Sequence, residues 1–170
     1  MASGQTLWVF KPLANETPIS GTAGLAFIAA TTGHRPVLTF DRVATEAGIW
    51  TFVMPSNYSA LGITLDIFGA QDVANTDTKV VQMEAQFERT EAGVDLGGAN
   101  DFAAIQEDGE TTVNNTEDAL FKSTITFTNS QIDGLLVGES GRLQISRNNT
   151  TGGTNAEGDF QLLLAHMKET

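Results

Sequence analysis

Val81-Gln-Met-Glu-Ala-Gln-Phe-Glu88 alternates apolar and polar residues without a break. In an extended chain, Val81, Met83, Ala85 and Phe87 fall on one side, and Gln82, Glu84, Gln86 and Glu88 on the other. A period of two predicts a β-strand with one dry face and one wet face. The pattern recurs downstream. Phe121, Ser123, Ile125 and Phe127 alternate with Lys122, Thr124, Thr126 and Thr128, and Leu143 and Ile145 alternate with Gln144, Ser146 and Arg147. Near the end, Phe160, Leu162 and Leu164 face away from Gln161. Leu163 and Ala165 make that strand apolar on both faces, which predicts a central or covered position. The buried faces are therefore expected to carry Val81, Met83, Ala85, Phe87, Ile125, Phe127, Leu143, Ile145, Leu162 and Leu164.

Upstream, Leu7–Phe10, Pro36–Phe40, Ile49–Met54 and Ile63–Phe68 read as further strands. Turn residues separate the segments: Asn57, Asp72–Asp77, Gly93–Asn100, Asp108–Asn115 and Asn148–Gly153. No stretch sustains a helical period, although Asp101–Gln106 and Ser130–Leu136 have room for one turn each. Many short strands at this spacing predict an all-β fold, either a sandwich or a barrel-like pair of sheets. Thr17–Gly33 is rich in Gly, Ala and Thr and contains Leu25, Phe27 and Ile28. It reads as a buried strand or as an arm lying on a neighbour. Residues 1–33 are thus an N-terminal arm or the first strands of the same unit, and residues 34–170 form the sandwich domain.

The chain has 170 residues, 41% of them hydrophobic, which suits one domain with one core. It has no cysteine, so disulfides, thiolate metal sites and cysteine nucleophiles are excluded. A formal net charge of −12 opposes nucleic acid and anionic lipid at long range. Met1–Phe10 lacks the basic-then-apolar pattern of an export signal, and Leu25–Ala30 is too short to span a membrane. Neither nucleic acid nor membrane is expected as a partner.

Catalytic and metal motifs are scarce. The two histidines, His34 and His166, are far apart in sequence, whereas a zinc site needs three or four ligands in tetrahedral reach. Asp72, Asn75 and Asp77 offer oxygen ligands at spacings calcium uses, but without the glycine and terminal glutamate of an EF-hand loop. A solvated turn is the simpler reading. Asp108 and Glu110 flank Gly109 in another turn. Gly93–Gly98 carries Asp95, the wrong charge for a phosphate cradle. There is no nucleophile elbow, P-loop or dinucleotide fingerprint. No catalytic residue, bound metal or cofactor is expected. Among the aromatics, Trp50 reads as core, and Trp8 reads equally as an exposed contact or as packing.

Pro36-Val-Leu-Thr-Phe-Asp41, Gly48-Ile-Trp-Thr-Phe-Val-Met-Pro-Ser-Asn-Tyr58, Ala85-Gln-Phe-Glu-Arg89 and the closing Glu169-Thr170 follow one another in an order that resembles small β-sandwich structural proteins of tailed bacteriophages and prophages. The resemblance runs across most of Pro36–Thr170. It implies a two-sheet, jelly-roll-like sandwich and a place on the virion, after synthesis in the bacterial cytoplasm, as a capsid cement or decoration protein or a fibre component. It implies no catalytic residues. The expected partners are the major capsid protein or other virion proteins, with a homo-oligomer, a trimer, seated on three-fold sites of the shell. Trp8, Phe10, Leu25, Phe27 and Ile28 are the candidate interface residues. The alternative is a carbohydrate- or receptor-binding module of a tail fibre, which would expose two or more aromatics on one face.

Overall fold

A computed structural model describes residues 4–18, 20–30, 33–90, 102–148 and 155–170. Among these residues eleven strands run in chain order: β1 (Thr6–Phe10), β2 (Gly24–Ala30), β3 (Gly33–Phe40), β4 (Ala47–Val53), β5 (Gly62–Gln71), β6 (Val80–Thr90), β7 (Gln106–Glu107), β8 (Thr111–Thr112), β9 (Phe121–Thr128), β10 (Ser140–Asn148) and β11 (Phe160–Glu169). The only helical turns among the described residues are two 3-10 turns, Pro12–Ala14 and Asn129–Ile132. The second overlaps Ser130–Leu136, the stretch expected to hold one turn, and begins one residue before it. The other expected turn does not form across Phe102–Gln106, where Gln106 instead pairs with Ala85 on β6. Asp101 lies outside the described residues.

The strands form two antiparallel sheets. One is six-stranded, in the order β2-β3-β11-β5-β9 with β1 also paired to β11; the other is five-stranded, β4-β10-β6-β7 with β8 on β6. From β3 onward the chain crosses from one sheet to the other at nearly every step. This double wrapping leaves β11 between β3 and β5, and β10 between β4 and β6, which is the jelly-roll arrangement. The molecule is therefore an all-β, two-sheet, jelly-roll-like sandwich.

The inner faces meet in a core built by the alternation read from the sequence. Val81, Met83, Ala85, Phe87, Ile125, Phe127, Leu143, Ile145 and Leu162 are all buried. Aromatic rings tie the sheets together edge to face: Phe87 of β6 meets Phe127 of β9 with centroids 5.0 Å apart, and Phe52 of β4 meets Phe87 at 6.0 Å and Phe10 of β1 at 5.6 Å. Trp50 is buried too, and its indole N–H donates to the Lys11 carbonyl at 2.9 Å.

Three expectations are corrected. Leu164 is not on the core face. The pairing of β11 with β5 shifts between Leu162 and Leu164, and this bulge turns Leu163 and Leu164 outward while returning Ala165 and Met167 to the core. Arg147 does not continue the wet face of Gln144 and Ser146. It follows Leu143 and Ile145 inward and is 1% exposed, with its guanidinium donating to the carbonyls of Gly158 and Ala156 and to Asn155 Oδ1. Burial pulls its pKa down to about 10, against the pull of Asp159, Asp41 and Asp72. Phe10 is not free for an interface, because it is 1% exposed between Trp50 and Phe52.

Candidate binding face

The outer face of the six-stranded sheet is assembled from the outward residues of β1, β5, β9 and β11. Register places Val9, His166, Asp66 and Thr124 in one row across four strands, and Leu164, Phe68 and Lys122 in the next. The extra outward residue of the β11 bulge, Leu163, adds apolar surface to that second row. With Leu120 at the approach to β9, these side chains line a shallow depression of about 320 Å³: Val9, Phe68, Leu120, Leu163, Leu164 and His166. Five of the six are apolar, and Val9 and Leu120 are largely exposed. A sheet face open to solvent usually carries polar residues, so this patch is the departure that marks the site.

A charged cluster bounds one side. Asp66 is 4% exposed although it faces outward, because Lys168, Lys122 and Thr124 cover it. Lys168 Nζ donates to it at 2.6 Å and Thr124 Oγ1 at 2.8 Å, and Lys122 Nζ lies at 3.3 Å. Burial works to raise its pKa, but Lys168, Thr124 and Lys122 together hold it below the usual carboxylate value. Beside it His166 Nε2 shares a hydrogen bond with Thr6 Oγ1 at 2.9 Å. On the other side the depression leads, through the shared residues Leu120 and Leu163, into a narrower groove of about 230 Å³. Ile28, Ala29, Arg35, Asp118 and Gln161 stand there. Gln161 Oε1 is buried and accepts no hydrogen bond from any described residue.

The candidate residues scatter. Trp8 is 38% exposed and leans on Phe10 and Phe52. Leu25 and Phe27 are more than half exposed on β2, and Ile28 reaches the narrower groove. His34 lies edge-on to Phe27, and His166 sits on the binding face. Asp72 Oδ1 accepts from the Asp159 amide and Asn75 Oδ1 from the Glu157 amide, while Asp77 pairs with Lys79 at 2.8 Å. These three residues thus hold loops, and among the described residues no group of three or more His, Asp or Glu is placed to hold a metal. Asp108 also has a loop-holding role: it accepts from the Met83 amide, Thr111 and Ser123, and burial raises its pKa. Gly93–Gly98 lies outside the described residues.

The sequence reading missed the face itself, apart from Ile28. Its one legible signal was Phe68, which falls on the wet side of β5 opposite Ile63, Leu65 and Ile67.

No protein-family model matches the chain, and no curated protein matches it. Solved structures similar in fold include the CBM35 domain of Abf62 from Cellvibrio japonicus, 16% identical with a TM-score of 0.48, covering 94% of this chain and 92% of that one. A family GH115 4-O-methyl-α-glucuronidase is 10% identical with a TM-score of 0.45, and the match covers 99% of this chain but only 18% of that one. The carbohydrate recognition domain of Emp46p is 10% identical with a TM-score of 0.40, covering 98% of each.

Proposed function

We propose that this protein is a non-catalytic structural domain that binds another protein through the outer face of its six-stranded sheet. The observation that carries this reading is the apolar depression of Val9, Phe68, Leu120, Leu163 and Leu164 on a face that would ordinarily be polar. Contact area of this kind, with few hydrogen-bonding groups inside it, suits the apolar side chains of a protein partner. Lys122 and Lys168, balanced only in part by Asp66, leave that rim with a net positive charge on an otherwise acidic molecule, so the partner's matching edge is acidic. Together with the resemblance of Pro36–Thr170 to phage structural proteins, this supports reading the domain as a decoration protein on the capsid shell of a virion. The test is co-expression with the major capsid protein of the same genome, followed by sedimentation. Wild-type protein is expected to travel with the shells and Leu163→Asp to stay behind. A wild-type protein that never sediments with shells overturns the assignment.

One observation favours a second reading. Arg35, Asp118 and Gln161 stand beside Ile28 and Leu163 along the narrower groove, and a few polar groups beside apolar ones suit a small polar ligand such as a sugar. On that reading the domain is the carbohydrate- or receptor-binding module of a fibre. Titration calorimetry against soluble glycans would then give a signal that Arg35→Ala abolishes and that the wild type shows without any shell protein.

A further inference from the structure

Sheet edges have to be kept from pairing with other chains, and all but one of the described edges are short, irregular, charged or covered: β1 is five residues long with a register shift between Thr6 and Trp8, and β8 is two residues long. On β4, Asn15 Oδ1 accepts the Ile49 amide at 2.7 Å, and Glu16 and Thr22 form bridges to Ile49 and Ala47, so the preceding segment covers that edge. β7 is only two residues long. β9 carries Lys122 among its threonines. The remaining edge is β2, Gly24-Leu-Ala-Phe-Ile-Ala-Ala30, which has neither charge nor proline over seven residues. Its inner side pairs with β3 along its whole length, from Gly24 opposite Thr39 to Ala30 opposite Gly33. Among the described residues no strand pairs with its outer side. In an antiparallel ladder alternate residues direct their N–H and C=O away from the partner. This edge therefore offers a row of backbone groups ready for another strand.

We propose that the edge is filled by a second copy of the chain, with β2 antiparallel to the β2 of its partner about a two-fold axis through Phe27. Two observations select a second copy over a foreign strand. First, the strand is self-complementary in that register. Leu25 lies opposite Ala29, Ala26 opposite Ile28 and Gly24 opposite Ala30, so each large residue meets a small one, and only Phe27 meets itself. Second, each chain carries a net charge of −12, and an uncharged strip is where two such copies can approach without opposing like charges. Leu25 and Phe27, 53% and 57% exposed in one chain, become mutually covered. The six-stranded sheets then run on as one. Because Ile28 also lines the narrower groove, the binding faces of the two copies become continuous across the axis. The proposal stands on β2 alone and does not depend on what the binding face recognises. It replaces three-fold self-association with an isologous pair.

The chain has no cysteine, so single introduced thiols report the register directly. Cα atoms of directly opposed strand residues lie about 4.5–5.5 Å apart, within disulfide range. Under mild oxidation Phe27→Cys is expected to cross-link nearly completely to a dimer. Leu25→Cys is expected not to, and the double variant Leu25→Cys, Ala29→Cys is expected to regain the link. Light scattering on the unmodified protein is expected to give twice the 18.1 kDa of one chain. Phe27→Lys should halve that mass with an unchanged circular dichroism spectrum, whereas Val43→Lys, at an exposed site away from β2, should not change it. A protein that stays monomeric up to about 1 mM, the weakest association worth the name, overturns the proposal. So does a dimer that survives Phe27→Lys, or one in which Leu25→Cys links as readily as Phe27→Cys. Loss of shell or glycan binding in a variant that remains dimeric would bear on the binding face and leave this interface standing.

Discussion

At the scale of single residues, the outer face of the five-stranded sheet holds a repulsion that the fold tolerates. Glu84 of β6 stands directly opposite Glu107 of β7. Burial, followed by the charge of Glu107, raises the Glu84 pKa, and a hydrogen bond from Ser146 offsets only part of this. A carboxylate whose folded pKa is raised binds its proton more tightly in the native state. Its contribution to stability is complete below the unfolded value of about 4.3 and is lost as pH rises through the folded value. Glu84→Gln is therefore expected to stabilise the protein at neutral pH by about 0.2–1 kcal/mol, the scale of one cross-strand pair. That gain should vanish in acid, where wild-type Glu84 is itself protonated. Urea melts of both proteins at neutral and acidic pH check the sign; an equal gain at both pH values would remove the charge explanation. Asp66 runs the other way. Its folded pKa is lowered, so its contribution is present above about pH 3.9 and is lost as pH falls through the folded value, and Asp66→Asn should flatten the acid limb of stability. In the core, Phe87 touches Phe52 and Phe127 and is fully buried. Phe87→Ala should cost about 3–5 kcal/mol by chemical denaturation. A loss under about 1 kcal/mol would mean the ring junction carries little of the stability.

At the scale of strands, period-two alternation was enough to place β6, β9 and β10, because each has one face on the core and one in water. It misplaced the ends of β10 and β11 for physical reasons that alternation cannot express. Arg147 has a polar head that normally argues for solvent, yet acceptors on Asn155, Ala156 and Gly158 take hydrogen bonds from its two terminal nitrogens inside, with Nε left unbonded among the described residues. Leu162-Leu-Leu164 has no polar residue to mark the bulge, so the change of face is silent in the sequence. That silence also hid the binding face, since Leu163 and Leu164 read as core for a central strand. The bulge sits against Gly69, which pairs with Leu162. A methyl group there would overlap the Phe160 ring, itself stacked near Phe40 and Phe121. Gly69→Ala should thus cost about 1–3 kcal/mol as an overpacked site, measured by urea unfolding. A neutral result would show that Phe160 has room to move.

At the scale of the whole molecule, the question left open by the sequence was whether residues 1–33 are an arm or part of the sandwich. The segment contributes two strands with different roles. β1 closes the flank of β11 that β3 leaves bare, pairing from Thr6 opposite Lys168 to Phe10 opposite Ala165. Leu7, Phe10 and Ala23 enter the core. The Lys11 carbonyl receives the Trp50 indole, and Asn15 and Glu16 cover the edge of β4. Deleting the segment therefore removes a buried Phe and a buried Leu, each worth roughly 2–5 kcal/mol when truncated. It also exposes β11 and β4 as new edges. Against a total stability of about 5–15 kcal/mol, such a loss leaves little folded protein, and the truncated chain is expected to aggregate. Removing only the exposed side chains of β2, as Leu25→Ser with Phe27→Ser, subtracts almost nothing from the core of one chain and, at concentrations low enough that both proteins are monomeric, should leave the melting temperature within a few degrees of wild type. Thermal melts of the two variants separate the roles. A truncated protein that stays folded and monomeric would mean β1 is dispensable and the segment is an arm after all.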